Sequence, residues 1–371
     1  LPYLMTTAAK KQHIKNDIVI LTATSGDTGK AALEGFANVD GVKIMVFFPE
    51  DGVSPVQKLQ MTTQEGENTC VVGIKGNFDD AQSAVKRMFT DEKLQEALAA
   101  KGYRFSSANS INIGRLVPQI VYYYWAYIQA VQAGEIAWGD KLNATVPTGN
   151  FGDLLAGWYA ARMGLPIGHF VCASNDNKVL YDFFRTGTYD KNRPFYVTVS
   201  PSMDILISSN LERLLCHMGG QDKTKAEMAA LQANGVYQTD ITQTDISAEY
   251  ATQEETFAAI REVYAKTGYV IDPHTAVAYA AYRKYRQESG DQTPMVIVST
   301  ASPYKFTKDV MTALDARYAN GDAFALMQEL ENVSKISIPA PIRGLKDRPI
   351  RHTRVCEKEN IQDTVKEWLL S

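Results

Sequence analysis

The apolar and polar positions of this chain alternate in blocks. A short apolar run is followed by a stretch with helical spacing, and the alternation recurs from end to end. Residues 17–22 read as a buried strand, with a helix from Lys30 to about Ala37. Strands are predicted over 41–49, ended by Pro49, and over 70–74. Helices are predicted over 55–64 and 79–90, the latter with Ala81, Ala84, Val85, Met88 and Phe89 at helical spacing. A long aromatic helix over 114–133 places Val117, Ile120, Val121, Tyr124, Trp125 and Ile128 on one stripe, which points to core or a subunit interface. A second series follows. Strands are predicted over 141–146, 169–173 and 294–300. Helices are predicted over 154–163, 176–186, 204–217, 223–234, 247–266, 272–287, 304–318 and near 361–370. Residues 1–11 read as the middle of a helix. The alternation predicts an α/β protein of two three-layer αβα domains with mostly parallel sheets. The expected division is a smaller domain over 1–133, a larger one over 134–320 and a C-terminal helical tail over 321–371.

Composition narrows the classes. The chain has 371 residues, 45% of them hydrophobic and 22% charged, as in ordinary globular proteins. A net charge of -4 gives no electrostatic case for nucleic acid or an anionic membrane. No apolar run approaches the length of a membrane span. Cys70, Cys172, Cys216 and Cys356 lie far apart, and the five histidines show no metal-ligand spacing. A disulfide framework or a metal site is therefore not expected, and a reducing, cytoplasmic setting is.

The candidate chemistry lies where strands end and helices begin. Val146-Pro147-Thr148-Gly149-Asn150-Phe151-Gly152-Asp153 joins a strand to a helix. A helix start presents unpaired N–H groups and partial positive charge, and two glycines permit positive φ and close approach to an anion. Gly149, Asn150, Phe151, Gly152 and Asp153 thus form a candidate phosphate cup. The same residues also fit a tight turn whose helix Asp153 caps. Ser25-Gly26-Asp27-Thr28-Gly29 is a second such junction. Gly29-Lys30 invites comparison with a nucleotide P-loop, but Thr24 stands where its first glycine belongs and Ala31 where its hydroxyl belongs. What remains is a helix start suited to a small carboxylate, or simply a hydroxyl-capped one. Ser106-Ser107-Ala108-Asn109-Ser110-Ile111-Asn112-Ile113-Gly114-Arg115 adds polar side chains and a cation that could pair with phosphate or carboxylate, or lie on the surface. Val298-Ser299-Thr300 places hydroxyls at a strand's C-terminal end. There one could meet a ring nitrogen or close a turn. Together these describe two anion positions and a partner for a heterocycle nitrogen, and spacing alone names no cofactor.

The motifs resemble threonine synthase. They are Thr24-Ser25-Gly26-Asp27-Thr28-Gly29, Ser54-Pro55-Val56-Gln57-Lys58, Ala108-Asn109-Ser110-Ile111-Asn112, Pro147-Thr148-Gly149-Asn150-Phe151-Gly152-Asp153, Ala173-Ser174-Asn175 and Asp272-Pro273-His274-Thr275-Ala276. Ser200-Pro201-Ser202-Met203 and Ser208-Ser209-Asn210-Leu211 are similar to its longer microbial and fungal branch. The resemblance runs from Leu1 to about Val310. It implies a lyase of fold type II, the tryptophan synthase β-like class, that uses pyridoxal 5'-phosphate to convert O-phospho-L-homoserine and water to L-threonine and phosphate. By the same resemblance Gly149, Asn150, Phe151, Gly152 and Asp153 hold the cofactor phosphate, and Thr300 meets the pyridine nitrogen. Ser25, Gly26, Asp27 and Thr28 hold the substrate carboxylate, with Asp27 near the cofactor ring. Ser110, Asn112 and Arg115 hold the substrate phosphate.

One departure stands out. The family's Schiff-base lysine lies in a His-Gly-Pro-Thr…Phe-Lys-Asp stretch, and none occurs in these residues. Lys30, Lys58 and Lys305 lack that context. The expectation is that the lysine lies upstream of Leu1, so that no catalytic residue lies in this chain and the chain alone does not turn over. Two alternatives are a threonine-synthase-like phospholyase and a non-catalytic binding or assembly protein. The expected partner is O-phosphohomoserine, with the protein a monomer or homodimer.

Overall fold

The structure is a computed structural model that describes residues 1–109, 112–242 and 244–370. The chain divides into two compact units, Leu1–Arg115 with Ser337–Ser371, and Leu116–Ile336. The boundary thus falls at Arg115 rather than after residue 133, and residues 337–371 belong to the first unit. The strands, in chain order, are β1 Asp17–Ala23, β2 Val42–Pro49, β3 Thr69–Lys75, β4 Tyr103–Ser107, β5 Leu142–Pro147, β6 Ile167–Ser174, β7 Thr188–Asp190, β8 Val236–Gln238, β9 Ile246–Tyr250, β10 Met295–Ile297 and β11 Arg354–Glu357.

The first unit holds a parallel five-stranded sheet in the order β11-β3-β2-β1-β4. β1 is buried along nearly its whole length, because helices cover both faces of a parallel sheet. Ile18, Ile20, Ile44, Val46 and Phe48 pack on Leu33 and Phe36 of the helix Asp27–Phe36. Strand order reverses beside β1, with β2 on one flank and β4 on the other. Loops that follow the strands at such a reversal diverge and leave a crevice at the sheet's C-terminal edge. Residues 24–28, which run into the helix Asp27–Phe36, follow β1, and residues 108, 109 and 112–115, which run into the helix Ile113–Leu116, follow β4. Asn109, buried, fastens them: its amide accepts from the Ala23 N–H at 3.0 Å and donates to the Ala23 carbonyl at 2.6 Å.

The second unit repeats the logic with the parallel order β10-β5-β6-β9, and adds the antiparallel pair β7-β8. Val171, Ala173 and Ala251 pack against Ala276, Val277 and Ala280 of the helix Pro273–Ser289. Here the order reverses at β5, so the loops after β5 and β10 flank the switch point. No described helix is long and apolar enough to cross a membrane, and no described group of three or more His, Cys, Asp or Glu could hold a metal ion.

Several elements differ from the sequence expectation, each for a local reason. Residues 247–266 are a strand, β9, and then the helix Gln253–Thr267. Thr252 caps that helix in a reciprocal box with Glu255. Residues 204–210 are not helical, and the helix there is Leu211–Gly219. The Asp204 carboxylate instead gathers the Asn175 and Asn177 amides and the Thr198 hydroxyl, at 2.7, 3.0 and 2.7 Å. Burial raises the pKa of Asp204, and those bonds work against the rise. Pro118 replaces the single aromatic helix with Ile113–Leu116, a 3-10 turn at Val117–Gln119, and Ile120–Gln132. Tyr123 and Tyr127 are its buried residues, while Val117, Val121 and Trp125 of the expected stripe are exposed, as is Tyr122. The helix Glu92–Ala100 and strands β4 and β11 carried no clear pattern. β11 makes the tail part of a sheet rather than purely helical.

The Asn109 clamp generates a stability prediction. Asn109→Ala leaves a donor and an acceptor of β1 without partners in the interior. It should lower the free energy of unfolding by about 2–3 kcal/mol in urea titrations.

Candidate active site

In the second unit, β5 ends at Pro147 and the helix Gly152–Arg162 begins five residues on. The turn is pinned by its carbonyls. Ser208 Oγ donates to the Gly149 carbonyl at 2.8 Å. The Asn210 backbone N–H and side-chain amide both donate to the Asn150 carbonyl, at 3.1 and 2.9 Å. In a planar trans peptide the N–H points opposite to the C=O. The N–H groups of Asn150 and Phe151 are therefore turned away from residues 208–210. Phe151 is the N-cap and gives no side-chain bond to the first turn. The orphan N–H groups of that turn thus extend the row of backbone donors. A dianion is the ligand such a row fits.

The glycines act differently from expectation. The positive φ, 62°, belongs to Phe151, whose buried ring stacks on Phe184 at 5.8 Å. Gly149 is needed for space: a Cβ there would lie 2.3 Å from the Ser202 carbonyl oxygen. Asp153 does not cap the helix either. It lies in the first turn and accepts from the Tyr123 hydroxyl at 3.2 Å, the hydroxyl also reaching the Asp153 carbonyl at 3.0 Å. Burial raises Asp153 from 3.8 to about 6, against the Tyr123 bond, and raises the Tyr123 phenol well above its ordinary value. Thr300 follows β10 on the strand next to β5, and Ser299 and Thr300 are both exposed.

In the first unit, the Thr24 hydroxyl accepts from the Gly26 and Gly29 N–H groups at 2.9 and 2.8 Å. Gly26 has φ 129°, a conformation that requires glycine. Asp27 Oδ1 accepts from the Gln57 amide at 2.9 Å. Gln57 is itself buried and closes a capping box with Ser54. Ser25, Asp27 and Thr28 remain partly exposed. The Asn112 side chain donates to the Ser107 carbonyl at 2.9 Å and accepts from the Gly114 N–H at 3.0 Å. The Arg115 guanidinium donates to the Ala108 carbonyl at 3.3 Å and to the Thr28 hydroxyl at 3.4 Å. Arg115 and Thr28, expected at two different anion positions, thus meet within this unit. Ser110 lies outside the described residues. Lys30 pairs with Glu34 at 2.7 Å and Lys58 with Glu50 at 2.5 Å.

Gln57, Ser202, Ser208 and Asn210 shape these loops and were not among the expected site residues. A signal was present for Ser208 and Asn210: the polar run Ser208-Ser209-Asn210 interrupts a stretch otherwise read as helix.

The family described as pyridoxal-phosphate dependent enzyme matches residues 2–301, and the one described as threonine synthase, C-terminal, matches residues 275–367. Threonine synthase of Pseudomonas aeruginosa is 42% identical over 303 residues, covering 80% of this chain and 62% of that one. Threonine synthase-like 1 of Homo sapiens is 42% identical over 317 residues, and the match spans 81% of this chain and 42% of that protein's length. The crystal structure of threonine synthase from Brucella melitensis with pyridoxal phosphate bound is similar at a TM-score of 0.80 and 36% identity. It is matched over 99% of this chain and 73% of its own. The yeast threonine synthase structure also gives 0.80, at 30% identity, over 100% of this chain and 73% of its own.

Two outcomes check the second unit's site. The folded state holds a proton on Asp153 that the unfolded chain has released between pH 3.8 and about 6, so this group's contribution to stability falls as pH rises through that window. Asp153→Asn should flatten that part of the curve of unfolding free energy against pH. Gly149→Ala should push the Ser202 backbone away and weaken binding of pyridoxal phosphate at least about tenfold, leaving circular dichroism unchanged.

Proposed function

The chain belongs to the threonine synthases among the pyridoxal-phosphate dependent enzymes, and from that premise we propose that the whole protein converts O-phospho-L-homoserine and water to L-threonine and phosphate. The observation that carries the reading is the cup at Gly149–Asp153, whose carbonyls are tied back by Ser208 and Asn210. Its donors fit a phosphate dianion, and the space a Cβ would fill at Gly149 is closed by Ser202. Asn150, Phe151, Gly152 and Asp153 would hold the cofactor's phosphate through their N–H groups. The Thr300 hydroxyl would meet the pyridine nitrogen, and a hydroxyl can do so without forcing that nitrogen to be charged. When bound, pyridoxal phosphate supplies an electron sink.

The first unit's residues serve the substrate. Ser25, Gly26, Asp27 and Thr28 form a helix start whose N–H groups would bind a carboxylate, held in shape by Thr24 and Gln57. Arg115, with Ser110 and Asn112 of the same stretch of sequence, would hold the substrate phosphate, since a guanidinium fork matches two phosphate oxygens. No lysine of residues 1–371 stands in the family's His-Gly-Pro-Thr…Phe-Lys-Asp context. These residues by themselves are therefore proposed to bind but not to turn over. A second reading is a phospholyase that releases phosphate without making threonine; the chain is 42% identical both to a threonine synthase and to threonine synthase-like 1. Both readings use the same anion positions, and the product separates them.

In a phosphate-release assay with O-phosphohomoserine, residues 1–371 should give no turnover. In titration calorimetry the same protein should bind that substrate, and Arg115→Ala should weaken binding about tenfold, as expected for a charged hydrogen-bonded contact. Undiminished binding would remove Arg115 from the phosphate position. In the whole protein, threonine among the products decides for the synthase.

A further inference from the structure

One buried carboxylate outside the expected site is linked through its neighbours to both loops of the second unit's switch point. Asp272 is the N-cap of the helix Pro273–Ser289 and is buried, as is His274 beside it. Asp272 Oδ1 accepts from the His274 backbone N–H and lies 2.9 Å from His274 Nδ1. On the ring's far side, the Ser202 backbone N–H donates to His274 Nε2 at 3.2 Å. A peptide N–H can only donate, so Nε2 is the bare nitrogen and Nδ1 carries the proton that it gives to Asp272. The tautomer is fixed at both ends, and the Phe306 ring packs edge-on against the imidazole at 5.0 Å.

Ser202 is the residue whose carbonyl oxygen closes the space over Gly149. The second oxygen of Asp272 accepts from the Thr275 hydroxyl. That hydroxyl lies 3.1 Å from the hydroxyl of Ser299, the residue before Thr300. A helix cap requires only that Asp272 bond the first-turn N–H groups, which Oδ1 does. The bonds onward to Ser202 and Ser299 are not needed for a cap.

We propose that Asp272 and His274 are positioning residues that fix the phosphate cup through Ser202 and the strand end at Thr300 through Thr275 and Ser299. This rests on the reading of the cup as a cofactor-phosphate site. Holding both loops from one rigid helix end sets the spacing between a ligand's phosphate and its ring nitrogen before the ligand arrives, which lowers the ordering cost of binding.

The test uses pyridoxine 5'-phosphate and pyridoxine, which have no aldehyde and so bind without forming a bond to lysine. A Gln at 274 can offer an amide oxygen near the place of Nε2, whereas an Asn reaches only the place of Nδ1. His274→Asn should weaken pyridoxine phosphate about tenfold, as expected for the loss of one buried hydrogen bond, and leave pyridoxine unchanged. His274→Gln should restore affinity to within about twofold of the unchanged chain. Thr275→Val should weaken both ligands, since it acts on the ring's partner. The phosphorus resonance of the bound ligand should move in His274→Asn and return in His274→Gln. Thermal unfolding without ligand identifies any variant that has simply lost its fold. Equal losses for the two ligands in His274→Asn, or no rescue by Gln, would overturn the inference. Unchanged affinity in His274→Asn would overturn it while leaving the cup intact. If the unchanged chain shows no preference for the phosphorylated ligand, the cup reading itself falls and the inference falls with it.

Discussion

A backbone amide can be aimed at an anion only when the carbonyl of the same peptide finds a partner on the other side. That constraint organises the second unit. The Gly149 and Asn150 carbonyls are taken by Ser208 and Asn210. Residues 204–210 cannot do this as a helix, so Asp204 and the amides of Asn175 and Asn177 hold that stretch irregular. A buried polar knot that looks wasteful as core packing is what lets the loop after β5 turn its donors outward.

The two sheets solve the same problem twice. Each is parallel, each reverses strand order once, and each carries its candidate residues in the two loops that flank the reversal. In the first unit Asn109 ties the two loops through Ala23, and Arg115 touches Thr28 across them. In the second unit the tie runs through Asp272, His274 and Thr275. Rigid strands supply the spacing, and a few side-chain bonds supply the fine position.

Much of this was legible in the sequence because buried parallel strands read as continuous apolar runs. β1, β2, β3, β5 and β6 were evident for that reason, as were the glycine-bearing junctions after β1 and β5. β9 was not, because Ser247 and Glu249 alternate with apolar residues and their roles are tertiary. Ser247 Oγ bonds His169, and Glu249 is paired with Arg185. The capping box at Thr252 and Glu255 was a local signal that would have placed the strand's end. β10 proved short, since only Met295–Ile297 keeps register with β5. The roles of Ser202 and His274 depend on contacts between residues 72 positions apart, and no local pattern encodes them.

The burial of the Asp153 carboxyl in the first turn of its helix has a thermodynamic consequence. Burial already raises Asp153 to about 6, and a dianion held by the same helix turn would raise it further. Loading the proposed cup would then draw protons from solution above that value. By linkage the proton would be a co-ligand of a phosphate bound there, so that its association would tighten as pH falls toward that value, and the heat of association would vary with the ionisation enthalpy of the buffer.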